Sequence, residues 1–493
     1  MNKTKKFLFL VVFSFLTFAF AQSTNIAGLY RYKLPNGLEL FVAENDSAPL
    51  AYIEIAVRAG AVTQTPQNAG LFHLYEHMLF KGNAKYENQD AFTDAANEMG
   101  RIGENGTTGI DRVNYFFTLP SSQVRKGLEF WSYAIRTPKI DEKELENEKA
   151  VVLAEINADF TDPAHIRSAA LFKTMFPKSP WRLSPSGDPV VVKNATADDL
   201  RKVQKEYYIP ANSAIFVGGK VEHEEIFQYV KEIYSDWQNP RTITKFEPVE
   251  SKSPLHHDKK MVFVNNGSSD NMIQIGYYLR GPDGETDSAD TYPADVWTNL
   301  VNDPNGVFAA TFVSEKSLGI PESDYIGASY PTRRASGLIG FYGAMLNGNF
   351  GGGELNPAEK SDKFLEVLKK KAVPAMLDKS SFFKEKSISF VIQQLEDDRI
   401  YETETAKGIL ASLSFFWSSC GADYFFSYDN NIAKVTEDDV VDFVQKYIQG
   451  KSGVLLVTVS PGIWEKYKNS FLSNGYEEIT AKNAFWQDLS RIK

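Results

Sequence analysis

Cysteine is nearly absent from this chain of 493 residues, and Cys420 is the only one. No disulfide bond can form within the chain, so its stability must come from packed cores. Because the neighbours of Cys420 are largely apolar, the sequence predicts a small buried side chain there rather than a nucleophile. A chain of this length exceeds one ordinary core, and we expect two domains or more.

Positive charge is also in short supply. The chain has 53 Lys and Arg against 63 Asp and Glu, which gives a formal net charge of −10. No cluster of Lys and Arg interleaved with aromatic residues offsets this balance. Since nucleic-acid binding depends on neutralising phosphate charge, we expect no nucleic-acid partner.

Long hydrophobic runs are missing except at the N-terminus, where an apolar stretch at residues 7–21 follows the basic start "MNKTKK". The run is shorter than the roughly 20 residues that a membrane span needs. Small residues at Ala19 and Ala21 favour a secretory signal peptide, residues 1–21, cleaved after Ala21. An uncleaved anchor is the alternative, and the absence of a following cysteine argues against a lipid anchor. We therefore expect a periplasmic or secreted protein without a stable membrane anchor.

Two distant segments resemble each other and indicate a duplication. Residues 194–208 and 434–448 each begin with a threonine, Thr196 or Thr436, followed by acids at the start of an amphipathic pattern. This arrangement is typical of a capped helix N-terminus. A strand rich in Val, Ile and Leu follows each helix. The same order of helix and strand in both segments is stronger evidence for a duplication than one sequence match alone.

The duplication predicts two homologous domains and an α+β fold. The expected organisation is a first domain at 22–240, a linker at 241–257 and a second domain at 258–493. Strand and helix patterns segregate within the first copy, which favours α+β over a doubly wound sheet. The expected elements are a hairpin across residues 35–37, a strand within 50–60, and helices near 70–82, 88–100, 121–136 and 141–158.

The segment "GLFHLYEHMLFKG" at 70–82 is apolar on most faces but carries His73, Glu76 and His77. On a helix, spacings of three and four place these three side chains on one stripe. One interpretation is a pair of core histidines bonded to the backbone, with Glu76 paired to one of them. The pattern favours the other interpretation, a metal site. Two imidazoles one turn apart can bind one zinc ion, while Glu76 serves as general base on a water that the metal polarises.

A catalytic zinc needs a third protein ligand. The remaining histidines do not suggest one, since they lie in polar contexts or lack supporting neighbours: His165, His223, His256 and His257. Glu155 is the only acid in the run 150–158, and an acid in such a run is rarely buried unless it is paired or ligating. Glu148 lies two helical turns earlier. It is either an outer residue that orients a ligand or a solvated acid.

With these motifs the chain resembles the pitrilysin/insulin-degrading enzyme peptidases, whose signature is H-x-x-E-H on a helix. The resemblance extends over most of the mature chain and includes a second motif of two glutamates seven residues apart. It implies that His73, His77 and Glu155 bind one Zn²⁺ per chain, that Glu76 is the base and that Glu148 supports the site. The implied function is a zinc metalloendopeptidase, a hydrolase that cleaves peptides or short unfolded segments.

The resemblance also implies a mode of substrate binding. Domains of this family are duplicated α/β-sandwich units, and each chain forms half of a clamshell around an enclosed chamber. A peptide binds there in extended form by adding a strand to a sheet edge. The family's edge-strand asparagine matches Asn105, and Gly106 stands where an alanine is usual.

The chain departs from the family at one point. Active members often hold the substrate carbonyl with an Arg and a Tyr seven residues apart, but Val313 and Ile320 occupy the matching positions. Either Tyr325 substitutes, or another subunit supplies the pair. The resemblance therefore implies a dimer with a related subunit that lacks the zinc motif, or a homodimer. The alternative functions are a non-catalytic family-like subunit, serving as a structural or binding partner, and a zinc-stabilised binding protein.

Overall fold

Two mixed β-sheets, each covered by helices, organise the part of the chain that the computed structural model describes: residues 22–23, 26–178, 180–244, 255–348 and 355–487. The predicted signal peptide at 1–21 and most of the predicted linker lie outside these residues. Within them, no helix is both long and apolar enough to cross a membrane.

The first sheet has seven strands among the described residues, in the spatial order β1-β2-β3-β7-β4-β6-β5. Neighbouring strands are antiparallel except β3 and β7, which are parallel. The strands are β1 Gln22–Ser23, β2 Leu29–Lys33, β3 Glu39–Glu44, β4 Leu50–Val57, β5 Ile102–Thr108, β6 Val113–Pro120 and β7 Ser213–Gly219. The helices of this half are α1 Leu71–Leu79, α2 Gln89–Glu98, α3 Val124–Arg136, α4 Glu142–Asp159, α5 Pro163–Met175, α6 Pro189–Asn194, α7 Ala197–Tyr207 and α8 His223–Tyr234.

The second sheet has six strands in the order β10-β11-β9-β12-β8-β13, counted over the same described ranges. They are β8 Lys259–Val264, β9 Met272–Arg280, β10 Ile326–Ser329, β11 Leu338–Leu346, β12 Val454–Val459 and β13 Glu477–Ile479. The helices are α9 Ser288–Val301, α10 Val307–Ser314, α11 Pro357–Val367, α12 Val373–Leu377, α13 Lys379–Phe382, α14 Ile388–Glu402, α15 Ala406–Ser419, α16 Ala422–Ile432, α17 Glu437–Tyr447, α18 Pro461–Ser473 and α19 Ala481–Ala484.

The predicted elements of the first copy are confirmed. Strands β2 and β3 form the expected hairpin, in which Gly37 has a φ of 92° that a side chain would disfavour. The four expected helices correspond to α1, α2, α3 and α4. In both repeated segments a reciprocal capping box begins the helix, Thr196 with Asp199 and Thr436 with Asp439.

The duplication extends beyond the two segments found in the sequence. The order α4, α5, α7, β7, α8 in the first half recurs as α14, α15, α17, β12, α18 in the second. In each half the central strand after the capped helix pairs with the first long strand of its sheet in parallel. The prediction of a duplicated α+β fold is therefore confirmed, while the domain bounds at 240 and 258 stay predictions.

Each half contributes one helix to the other half's sheet. Helix α15 covers the outer face of the first sheet, where Leu410 and Leu413 belong to one apolar cluster with Phe41 and Phe216. Helix α5 covers part of the second sheet, and Ile166 and Leu171 lie in a cluster with residues of β8 and β12. The opposite faces pack on each half's own helices. The two sheets are thus joined by a reciprocal exchange of helices.

Candidate metal centre and active site

Helix α1 is fixed in the core by its apolar faces. Its buried residues include Leu71, Phe72, Leu74, Tyr75, Met78 and Leu79. The chain enters the helix through Gly70, whose φ of 95° and close approach to Gly187 leave no room for a side chain. The stripe with His73, Glu76 and His77 is the remaining face, and it lies against α4 and β5.

The three predicted ligand atoms form a compact triangle. His73 Nε2 and His77 Nε2 are 3.3 Å apart, and Glu155 Oε2 lies 3.4 Å from the first and 3.7 Å from the second. For a tetrahedral zinc with bonds of about 2.0–2.1 Å, simple geometry requires ligand atoms about 3.3–3.4 Å apart. Among the described residues these are the only three side chains of metal-binding type so arranged. The donor set and its spacing therefore fit zinc.

The surroundings of His73 favour its neutral form. Burial, reinforced by the neighbouring His77, lowers the pKa of His73 to about 4. A neutral imidazole keeps the lone pair that a metal requires. The Nδ1 atom of His73 is buried and has no hydrogen-bond partner among the described residues. No hydrogen bond at Nδ1 therefore fixes the orientation of this ring in the described structure.

His77 is held from behind by Glu148. Its Nδ1 lies 3.0 Å from Glu148 Oε2, and Lys81 Nζ lies 2.5 Å from the other oxygen of Glu148. Because the carboxylate accepts a hydrogen bond from Nδ1–H, the Nε2 atom is left free to face His73 and Glu155. Glu148 is 7% exposed, which corrects its interpretation as a solvated acid. Sequence reasoning missed Lys81, which lies one turn after His77 on the same stripe.

Glu76 is buried beside the triangle and is held by strand β5. Thr108 Oγ1 donates a hydrogen bond of 2.6 Å to Glu76 Oε2. Burial raises the pKa of Glu76, and the hydrogen bond from Thr108 and the proximity of His77 partly offset this. A methyl group at Gly106 would lie 3.0 Å from Glu76 Oε1, so the free oxygen faces a position without a side chain. Sequence reasoning also missed Thr108.

Asn105 lies on the same strand, which is the edge of the first sheet among the described residues. Its side chain is exposed, and its backbone is paired in register with that of Phe116 in β6. Because side chains alternate along a strand, Asn105 points away from the face that carries Thr108 and Gly106. The other edge of β5 is unpaired in the described structure.

The second half carries no counterpart of the triangle within the described residues. Val313 is half-buried near the end of α10, and Ile320 is buried in the core of that half. Tyr325 lies beside a cavity of about 310 Å³ that Arg167, Tyr278 and Tyr342 also line. None of these positions contacts His73, Glu76 or Glu155 in the hydrogen bonds and ion pairs of the described part.

Two family models match successive parts of the chain. The model described as "Insulinase (Peptidase family M16)" matches residues 40–186, the segment with His73, Glu76, His77, Glu148 and Glu155. The model described as "Peptidase M16 inactive domain" matches residues 194–373. The second match begins within the first half, before α7, and extends into the second half as far as the start of α12.

Individual relatives resemble parts of the chain. It is 23% identical over 296 residues to the "Probable zinc protease PqqL" of Haemophilus influenzae, covering 56% of this chain and 31% of that protein. It is 26% identical over 211 residues to the "Probable mitochondrial-processing peptidase subunit beta, mitochondrial" of Arabidopsis thaliana, covering 43% and 39% of the two chains. The matched region thus spans less than half of either relative.

Solved structures share the fold over nearly the whole chain. The first half of the periplasmic protease PqqL from Escherichia coli matches with a TM-score of 0.71 at 15% identity, covering 92% of this chain and 97% of that one. A protease from Helicobacter pylori matches with a TM-score of 0.69 at 17% identity, covering 87% and 98%. Against full-length PqqL the match covers 50% of the larger chain.

Proposed function

This chain belongs to the M16 peptidase family, that of insulinase and pitrilysin, and from that premise we propose that it is an exported zinc metalloendopeptidase that cleaves peptides or short unfolded segments. The observation that carries the proposal is the triangle of His73 Nε2, His77 Nε2 and Glu155 Oε2, whose edges of 3.3, 3.4 and 3.7 Å fit one tetrahedral zinc. Relatives are named zinc proteases, which supports the choice of metal.

His73, His77 and Glu155 would hold one zinc ion per chain, with Glu148 fixing the orientation of His77. Zinc, when bound with one position open, acts as a Lewis acid and lowers the pKa of a water to about 7. The neutral state of His73, favoured by burial, suits this role because no proton has to leave before the metal binds.

Glu76 would serve as the general base. It would take a proton from the attacking water and later deliver that proton to the nitrogen of the leaving amine as the peptide C–N bond breaks. Its raised pKa brings its basicity closer to that needed near neutral pH. Thr108 occupies Oε2 by a hydrogen bond, so Oε1 would be the oxygen that exchanges the proton.

The peptide would bind along β5. Its free edge offers backbone N–H and C=O groups, and an extended peptide could add there as a further strand. The same strand holds Glu76 through Thr108, so substrate and base would share one element. Asn105, exposed on this edge, would bind the peptide from the other face of the strand.

A second subunit would complete the substrate site. The chain matches half of full-length PqqL, and the Arg and Tyr expected from the family are replaced by Val313 and Ile320. We therefore expect a related partner chain without the zinc motif, or a second copy of this chain. The predicted signal peptide supports export to the periplasm or the outside.

The second candidate is a non-catalytic subunit that serves as a structural or binding partner. The replacement of the Arg and Tyr by Val313 and Ile320 favours it. The buried Glu76, with its own hydrogen-bond donor beside three ligand atoms, argues against it, because a structural subunit gains nothing from a buried base.

Metal analysis and peptide cleavage test the proposal together. The chain would be assayed alone and with the product of any adjacent homologous gene, using fluorogenic peptides with and without chelator. Glu76→Gln should keep one zinc per chain and lose cleavage, and His77→Ala should lose both. His165→Ala, which removes an exposed histidine, is the matched control. Full peptide turnover by Glu76→Gln, or no zinc in metal-loaded wild type, would refute the proposal.

A further inference from the structure

An acidic residue lines a cavity far along the chain from the zinc ligands. Asp295 of α9 is half-buried and faces an open cavity of about 390 Å³ that is lined by helices α9, α14, α15 and α16 and by the loop at 331–332. This volume lies within the range of small-molecule sites, about 300–1,000 Å³. The proposed peptidase mechanism uses none of these residues.

The carboxylate of Asp295 lacks a cationic partner. Tyr428 Oη donates a hydrogen bond of 2.7 Å to Asp295 Oδ2, but no Lys, Arg or His of the described part lies within ion-pair distance. The basic residue that lines the cavity, Arg399, is already engaged by Asp429 at 3.2 Å and by the carbonyl of Phe425 at 2.6 Å. Burial raises the pKa of Asp295 to about 7. An unpaired carboxylate in such surroundings is costly, and a bound cation would relieve that cost.

The cavity walls are rich in aromatic rings, which attract cations through their faces. Phe415, Phe416 and Tyr424 line it together with Phe425 and Tyr428. The guanidinium of Arg399 lies 4.5 Å from the ring centre of Phe425 and 5.1 Å from that of Tyr428, so these rings already accept a cation on one side. The exposed acids Asp398 and Glu402 add negative charge at the rim.

We propose that this cavity is a binding site for an organic ammonium ion with an apolar body. The ammonium group pairs with Asp295, and the body packs on the aromatic walls. Either a free small amine or a lysine side chain of a peptide carries this chemistry. The site does not depend on the peptidase proposal, because it shares no residue with the zinc centre.

Calorimetric titration of the full chain at pH 8, where the Asp295 carboxyl is largely ionised, tests the site. The probes are phenethylamine, its neutral analogue 2-phenylethanol, and N-acetyl-lysine amide as the peptide-like cation. The variants are Asp295→Asn, which keeps an acceptor for Tyr428, and Asp290→Asn as control. Asp290 lies on the same helix but is paired with Lys446 at 2.5 Å.

We expect at least one of the two cations to bind, with affinity at least about tenfold above that of 2-phenylethanol. Asp295→Asn should lose about tenfold or more, and Asp290→Asn should bind as wild type. Binding of N-acetyl-lysine amide alone would assign the source to peptides, and binding of phenethylamine alone to small amines. No binding of either cation up to about 10 mM, equal binding of the neutral analogue, or undiminished binding by folded Asp295→Asn would overturn the proposal. The comparison of cation with neutral analogue uses wild type only, so it holds even if the variant does not fold.

Discussion

Thr108→Val tests whether strand β5 controls the general base. Valine has nearly the shape of threonine but cannot donate the 2.6 Å hydrogen bond to Glu76 Oε2. A hydrogen bond to a charged group contributes about 1.5–3 kcal/mol. If the transition state loses that much stabilisation because the base is no longer oriented, kcat should fall about 10- to 100-fold. KM and zinc content should stay near wild type, because the substitution leaves the backbone of β5 unchanged and the Thr108 hydroxyl bonds to Glu76 rather than to a zinc ligand.

The assay is steady-state cleavage of a fluorogenic peptide, with the partner chain present if cleavage needs it, alongside zinc analysis. Thr107→Val is the matched control. The Thr107 side chain lies on the opposite face of β5 from Thr108 and bonds to Asn114 of the neighbouring strand β6. Thr108→Ser should restore most of kcat because it keeps the hydroxyl. Unchanged kcat in Thr108→Val, or a loss of zinc equal to that of His77→Ala, would refute the assignment.

Three further outcomes follow from ionisable groups that are buried or half-buried. Glu148→Gln should weaken zinc binding about 10- to 100-fold in a chelator competition, since it loosens the hold on His77; unchanged affinity would contradict this. The folded-state pKa of Asp295 is raised to about 7, so its ionisation costs stability that grows from about pH 4 and is complete above pH 7. Asp295→Asn should therefore raise Tm relative to wild type increasingly over that window, and a pH-independent difference would be inconsistent with it. Cys420 is half-buried rather than fully buried as the sequence predicted, but desolvation still raises its pKa to about 12, so iodoacetamide at pH 8 should label it mainly after unfolding.

The part of the site that depends on one helix could be predicted from the sequence. Spacings of three and four residues place His73, Glu76 and His77 together whatever surrounds them. Glu155 could be identified as the only acid in an apolar run, but that run is largely exposed and the Glu155 side chain is 50% exposed, so its need for a buried partner was not the true reason for its position. Glu148 could not be assigned, because a charged run such as "DEKELENEK" looks solvated until α4 packs on α1 and buries it.

Contacts across the fold were beyond sequence reasoning. Thr108 reaches Glu76 only because β5 lies beside α1, and nothing in "NGTTG" distinguishes its hydroxyl from that of Thr107. Asp295 resembles an ordinary surface acid of an amphipathic helix, and its cavity is formed by three other helices. The duplicated order of helices and strands was visible at one repeated pair, but the exchange of α5 and α15 was not, because helix patterns do not reveal which sheet they cover.

The exchange of helices bears on how the two halves can be separated. A fragment that stops in the linker would keep the zinc ligands but lose α15, leaving Phe41, Phe216 and their neighbours on the first sheet open to water. The second fragment would lose α5 in the same way. Each fragment would then expose a large hydrophobic patch that only the other fragment could cover. Neither homologous half can therefore serve as an independent domain, because each needs a helix of the other to cover its sheet. The two halves could be produced as separate chains only if both were made in the same compartment.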